Sequence, residues 1–518
     1  MNLLLNNKFF VIYLGPFLLG GVSVLGFAPY NFTFLNFFTF SILLFLILTI
    51  KKKTYSKYRK KKSSWYFFYL GCSFGFGFFL FGNYWISVSL THEEIFKVLI
   101  PFSLLVIPLF LSIFFGIAIL IVGPFIEKNI YFIIFFSLTF SLFEFLRGSI
   151  LSGFPWNLIS YTWSWSTESL QILSLIGAYS FSLISITLFC TPFIFFQKRI
   201  LKKNIIFIFI IILIFISNYF FGLNKINNDK FLYNKSISIK IISPNISLKE
   251  YNYKSEISLL ERLIKISNPD KDKKTLFIWP EGLFYESYLN ELKKYRNLFI
   301  NNFSENHLIA LGVTNKQENK YFNSLVILNN KLETLSVYNK INLVPFGEFL
   351  PLESTFSKFG LKKITKGYNS FSPGNKRPII SLGNEFSNKN ILPLICYEII
   401  YSGKIKKNNQ LPDLVINISE DAWFGDSIGP YQHFSKAIFR AIEEGVFVAR
   451  SANKGISAFI EPSGRVVKSL NTRESGNLEV YFPHFFEKTL FSIHGNKIFF
   501  LIIFLYILFF LILKKYEK

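Results

Sequence analysis

Sulfur and histidine are scarce in this chain, with three Cys, one Met and five His in 518 residues. Cys72 and Cys190 fall in or beside apolar runs and Cys396 stands alone in a later block, so no disulfide framework is implied. Cys/His pairs at ligand spacing are lacking, which argues against a metal site, and no glycine-rich loop is placed to cradle a phosphate. The sequence implies no cofactor. Acidic residues are few as well, 32 against 56 Lys and Arg, for a net charge of +24. That surplus invites a nucleic-acid reading, but much of it lies in short clusters between apolar runs, where it favours anionic lipid head groups instead. Nucleic acid is not expected as a partner.

Apolar residues are abundant. They make up 51% of the chain, 66 of them Phe, too many for a soluble protein of this size. A membrane-spanning helix needs about 20 mostly apolar residues, and eight stretches qualify: 8–26, 32–50, 66–84, 100–124, 130–147, 168–196, 204–222 and 496–513. The first lacks a charged start and a small-residue cleavage site, so it reads as an uncleaved anchor. Lys and Arg crowd Lys51 to Lys62, Lys198 to Lys203 and the tail at Lys514, Lys515 and Lys518. All three clusters share the cytoplasmic side if the N-terminus is cytoplasmic, while the opposite short loops carry little beyond Lys97 and Arg147. Glu144 and Arg147, near the end of a span, are spaced to pair with each other.

Hydropathy drops at Asn224 to Asp229, giving a membrane domain over 1–224, an extracytoplasmic block over 225–490, and a final span with a basic tail over 491–518. In the block, Ile237–Ile242, Thr275–Trp279, Leu308–Val313, Asn323–Leu328, Ile391–Ile395, Leu414–Ile418 and Ile456–Ile460 read as strands. Ser255–Ile266 and Tyr431–Glu444 have helical spacing. Such alternation predicts a layered α/β domain. Between Pro351 and Pro373 an insertion mixes Phe356, Phe359, Leu361 and Ile364 with Lys358, Lys362, Lys363 and Lys366; it reads as a solvated loop or as a basic, apolar arm that dips into the membrane surface.

Three segments carry chemistry: WPEG (Trp279 to Gly282), YNKINLVPFGE (Tyr338 to Glu348) and Cys396-Tyr397-Glu398. They offer a carboxylate, an amine and a thiol. A thiol with a pKa near ~8.5 needs a base or a nearby positive charge to become a nucleophile at neutral pH. Glu281, after a strand, can take its proton, and Lys340 can stabilise the oxyanion of a tetrahedral intermediate. Taken singly, each has an ordinary alternative as a solvated Glu, a surface Lys or a packed Cys. His433, on a helical stretch without an acidic partner at recognisable spacing, reads as structural. Trp279, Phe346 and Trp423 are either core or the apolar wall of an acyl cavity.

Together with GFAP (Gly26 to Pro29), NYW (Asn83 to Trp85), SGFPWN (Ser152 to Asn157) and DAWFGDSIGPYQHF (Asp421 to Phe434), these segments resemble the nitrilase, or carbon-nitrogen hydrolase, superfamily, and within it the apolipoprotein N-acyltransferase family. The resemblance implies an eight-span α-helical membrane bundle joined to a nitrilase-like αββα sandwich. It implies Glu281 as general base, Lys340 as oxyanion stabiliser, Cys396 as nucleophile, Glu348 as a second carboxylate that positions the site, and Tyr397 and Glu398 as lining the pocket beside the nucleophile. By the same resemblance, a membrane phospholipid in the bilayer donates an acyl chain, a Cys thioester forms, and the N-terminal amine of a diacylglyceryl-modified apolipoprotein accepts it at the extracytoplasmic face of the bacterial inner membrane. Two positions depart from the family's pattern: Glu420 where Asn is usual, and Tyr251 only roughly where a Trp is usual. A membrane-tethered amidase using water, and a non-catalytic transporter or scaffold on the same fold, are the rival readings.

Overall fold

The computed structural model describes residues 5, 7–54, 60–196, 202–351, 370–405, 412–484 and 487–516. The expected arm at Phe356 to Lys366 lies outside them. The chain divides into two compact units, one holding most of the first 227 residues and the C-terminal helix, the other holding Asn228–Ile493 together with Val88–Phe96.

In the first unit, seven helices among the described residues are long and apolar enough to cross a membrane: Leu35–Lys53, Ser64–Asn83, Glu94–Phe125, Ile130–Arg147, Ser169–Phe196, Lys202–Asn228 and Lys497–Lys515. The remaining expected span, 8–26, corresponds to a shorter apolar helix, Phe10–Gly26. Its C-terminal end tightens into a 3-10 turn over Val24–Gly26 before the chain bends at Phe27. Glu144 and Arg147, spaced to pair with each other, each reach other groups. Glu144 accepts from the Ile159 N–H at 3.1 Å and from the Ser182 hydroxyl, and Arg147 donates to the Phe154 and Asn157 carbonyls. Two buried side chains thus satisfy backbone groups of an irregular segment that helical hydrogen bonding cannot reach.

The second unit is built on two six-stranded sheets. The strands are β1 (Tyr233–Ser243), β2 (Lys274–Ile278), β3 (His307–Gln317), β4 (Lys320–Asn329), β5 (Thr334–Asn339), β6 (Ile380–Ser381), β7 (Asn390–Ile395), β8 (Leu414–Glu420), β9 (Phe447–Asn453), β10 (Ser457–Ile460), β11 (Val466–Leu470) and β12 (Gly476–Pro483). The orders are β12-β1-β2-β3-β4-β5 and β11-β10-β9-β8-β7-β6, with β1-β2-β3 and β7-β8-β9 parallel. Alternation along each strand sorts residues between layers. Leu276 and Ile278 of β2 join Ile239, Ile391, Ile395, Ile416 and Ile418 in the core shared by the two sheets. Phe277 and Trp279 point the other way, onto Leu259, Leu260, Leu263 and Phe299 of the covering helices. Helix α1 (Glu256–Ser267) lies in that outer layer and α2 (Gly429–Glu444) packs against β9 and β10 of the second sheet, giving an αββα sandwich.

Trp279 is therefore core, fully buried with its indole N–H on Ser267 Oγ at 2.9 Å, and forms no part of an acyl wall. The strands β5, β6, β9, β11 and β12 were not legible in the sequence. In β9 the wholly buried Arg450 interrupts the apolar run by which an interior strand is recognised.

Candidate active site

Backbone chemistry places each chemical group at a strand end. Trp279 N–H still reaches the Ala310 carbonyl at 2.8 Å, but Pro280 has no N–H to continue the ladder, so the chain leaves the sheet and presents Glu281. It passes directly over β3. A Cβ on Gly312 would stand 2.7 Å from the Glu281 Cα, so only glycine permits the crossing. Lys340 follows β5, its N–H on the Asn323 carbonyl at 2.8 Å. Cross-strand neighbours share a face, which brings the Asn323 side chain beside Lys340.

These residues form a closed charge cluster. The Lys340 ammonium, fully buried, donates to Glu348 Oε1 at 2.9 Å and lies 3.6 Å from Glu281 Oε1. Asn323 Nδ2 bridges the two carboxylates, 2.7 Å from Glu281 Oε1 and 2.6 Å from Glu348 Oε1. The other oxygens are held by backbone: Glu281 Oε2 accepts the Glu420 N–H at 3.0 Å, and Glu348 Oε2 the Val344 N–H at 2.8 Å. Burial works against charge on Lys340, but Glu348 and then Glu281 outweigh it and push its pKa up, so it stays an ammonium. Burial pushes Glu281 above the usual carboxylate range, Lys340 pulls it back and Glu348 adds to the rise. Such a carboxylate is a stronger base than an exposed one.

Cys396 follows β7 as the first residue of a short 3-10 turn, in the left-handed region at φ +48°. For a residue with a side chain that conformation costs on the order of 1–3 kcal/mol and persists only where its surroundings enforce it. Glu398 is one enforcer. Its Oε2 accepts the Ile395 N–H at 3.0 Å, and its Oε1 takes Arg377 Nη2 at 2.6 Å, the Tyr338 hydroxyl at 2.7 Å, and the N–H groups of Ile341 and Asn342 at 3.1 and 3.2 Å. One carboxylate thus ties the turn of Cys396 to the turn that follows Lys340. It lies beside Cys396, as does Tyr397, whose ring meets Tyr401 edge-on at 5.4 Å, but the Glu398 carboxylate is buried and directed into protein. Burial pushes the Cys396 thiol up, Glu281 adds to this and Lys340 counteracts it, so the thiol is protonated at rest and needs a base.

Glu420 and Tyr251, the two departures, touch each other. The Tyr251 hydroxyl donates to Glu420 Oε2 at 3.2 Å, while Asn453 Nδ2 and the Ala422 N–H hold Oε1 at 2.9 and 3.1 Å. Burial pushes Glu420 well up. Next to Cys396, His433 does have an acidic partner, which its spacing in the sequence did not reveal. Asp421, in the turn after β8, sits 3.0 Å from His433 Nδ1. A sulfur, a carboxylate oxygen and a ring nitrogen of Cys396, Asp421 and His433 lie within 4.8 Å of one another. Such a set can ligate a metal, but Arg450 Nη2 already bonds Asp421 Oδ2 at 2.7 Å and contacts His433 Nδ1 at 3.1 Å, so a positive charge occupies the place of a cation.

Asn323 is a member of the charge cluster that the sequence did not reveal. In a chain rich in Asn and Lys a single Asn carries little weight, and only the pairing of β4 with β5 would have placed it.

A carboxylate, an ammonium and a thiol gathered at strand ends of an αββα sandwich, in a chain with membrane-spanning helices, define a membrane-bound relative of the carbon-nitrogen hydrolases. The carbon-nitrogen hydrolase family model matches residues 296–481, and the model for the apolipoprotein N-acyltransferase N-terminal domain matches residues 19–191. The apolipoprotein N-acyltransferase of Rickettsia typhi is 32% identical over 93% of this chain and 94% of its own length, and that of Bradyrhizobium diazoefficiens is 29% identical over 92% and 90%. Among solved structures, a CN-hydrolase superfamily protein from Xanthomonas campestris is similar at 16% identity, covering 49% of this chain and 91% of that one, with a TM-score of 0.33. The chain belongs to the apolipoprotein N-acyltransferase family, which makes it a multi-pass bacterial membrane protein.

Proposed function

We propose that this protein transfers an acyl chain from a membrane phospholipid to the N-terminal amine of diacylglyceryl-modified apolipoproteins through a Cys396 thioester, with its catalytic unit on the periplasmic face of the inner membrane. The observation that carries the reading is the Lys340 ammonium fixed between Glu281 and Glu348, its charge acting on the Cys396 thiol.

Glu281 takes the thiol proton and the thiolate attacks the donor's ester carbonyl. Negative charge develops on the carbonyl oxygen, where a buried, preorganised ammonium is worth more than it would be in water. Collapse breaks the ester C–O bond, the lysophospholipid oxygen takes the proton from Glu281, and the acyl group stays on sulfur. The acceptor amine then attacks the thioester. Glu281 removes its proton, the amide forms, and the returning thiolate is protonated. Glu348 and Asn323 hold the cation and the base in register throughout.

Purified protein incubated with phospholipid alone, then with a diacylglyceryl-cysteine peptide, tests this by mass spectrometry. An acyl mass on the Cys396 peptide that moves to the peptide amine is expected. Release of free fatty acid instead would assign a hydrolase, and a Cys396→Ala variant with normal transfer would overturn the assignment of the nucleophile.

A further inference from the structure

The steps above use no group from the cluster behind the nucleophile, yet His433, Asp421 and Arg450 are all completely buried, as is Ser419. Burying that much polarity is costly unless it organises something. The cluster converges on one point. His433 Nε2 lies 3.2 Å from the backbone carbonyl oxygen of Cys396. A carbonyl oxygen only accepts, so this contact requires a proton on Nε2.

The opposite ring nitrogen is arranged to allow that proton in either charge state. Nδ1 faces an acceptor, Asp421 Oδ1 at 3.0 Å, and a donor, Arg450 Nη2 at 3.1 Å. Neutral His433 accepts from Arg450, and the imidazolium donates to Asp421. Asp421 is itself fixed by Ser419 Oγ at 2.6 Å and by Arg450, and Arg450 also donates to Asn417. A Cβ on Gly455 would stand 2.2 Å from Asp421 Oδ2, so that carboxylate is packed directly on bare backbone.

We propose that His433 is a positioning residue for acyl transfer: its Nε2–H holds the Cys396 carbonyl and so fixes the left-handed turn that aims the thiol, while Asp421 and Arg450 orient the ring. This rests on Cys396 being the nucleophile, and the test separates the two claims. It pairs with Glu398, which fixes the same turn from the Ile395 N–H one residue earlier.

Two variants discriminate. His433→Gln places an amide N–H near the Nε2 position and is expected to keep kcat within about threefold. His433→Asn reaches only the Nδ1 side, and its kcat is expected to fall roughly tenfold to a hundredfold with KM little changed, the scale of a small misplacement of a reacting group. Equal activity of the two variants would overturn the proposal. A second measurement needs no variant to fold. In the native protein labelled with 15N-histidine, the ring nitrogen nearest the Cys396 carbonyl should carry a proton across the pH range of activity, and a bare Nε2 would overturn the proposal. Peptide-resolved alkylation of Cys396 keeps the premise separate. Slower alkylation in His433→Asn than in His433→Gln supports positioning even if phospholipid leaves no adduct on the native enzyme, in which case the acyl-transfer reading alone fails.

Discussion

The first sheet and the second contribute to the site in different physical terms. From the ends of β2, β4 and β5 come Glu281, Asn323 and Lys340, and the turn beyond β5 adds Glu348; Lys340 and Asn323 each contact both carboxylates. From the ends of β7 and β8 and from α2 come Cys396 in its left-handed turn and the residues around it: Glu398 and His433 bond the backbone of Ile395 and Cys396, and Asp421 bonds Ser419, His433 and Arg450. One half sets charge and the other sets geometry. Damage to the charge half should therefore appear in turnover and pH dependence while the fold survives. Damage to the bracing half should appear in stability as well.

The largest effect on that contrast is expected from Lys340→Met. It removes the cation from the middle of the cluster while keeping the length of the side chain, and turnover should fall by about 10²–10³-fold or more, the range for loss of one oxyanion-stabilising donor. Loss of the thioester mass in a protein that still folds is the expected result; unaltered turnover would remove Lys340 from the chemistry. Glu398→Gln tests the other half. Glutamine can keep an oxygen toward Arg377 and the three other donors, but it sets its NH2 against the Ile395 N–H and leaves a buried guanidinium without its counter-charge, a loss of about 3 kcal/mol where a buried ion pair is broken. A clear drop in melting temperature accompanied by lost activity is expected, whereas full stability would deny Glu398 its bracing role.

These two halves were unequally legible in the sequence. Glu281, Lys340 and Cys396 stand in segments with strand and turn signals around them, and strands β1 to β4, β7, β8 and β10 show as β-branched runs. The bracing half is assembled by tertiary pairing. Asp421 reaches His433 from twelve residues upstream through a turn, not along a helix face, and Arg450 enters from a strand whose central charge disguised it. Spacing rules detect neighbours on one element; they do not detect partners brought together by the register of β8 with β9. The membrane spans were legible because apolar length alone marks them, and the exception, Phe10–Gly26, is a helix whose end tightens before it reaches full spanning length.

Smaller effects sharpen the comparison within the charge half. Glu348→Gln removes the charge that helps raise Glu281, so the Glu281 pKa should fall. The base must be ionised to act, so activity is lost as pH drops through that pKa, and in the variant this acid limb should move to lower pH. At the same time Lys340 loses its nearest partner, and turnover at neutral pH should drop by roughly tenfold. A pH–rate profile measured in single turnover separates the two effects, and an acid limb left unmoved would mean that it reports some group other than Glu281.

Glu420→Gln should do least. Glu420 touches Glu281 through its backbone N–H, which the substitution keeps, and its buried carboxyl is pushed toward the neutral form that a glutamine amide mimics in shape. Tyr251 can turn its hydroxyl to accept from the new amide, so a change of less than about threefold in turnover and an unshifted acid limb are expected. If the acid limb instead moves down as far as in Glu348→Gln, Glu420 carries a charge in the working enzyme, and the charge half then extends across both sheets.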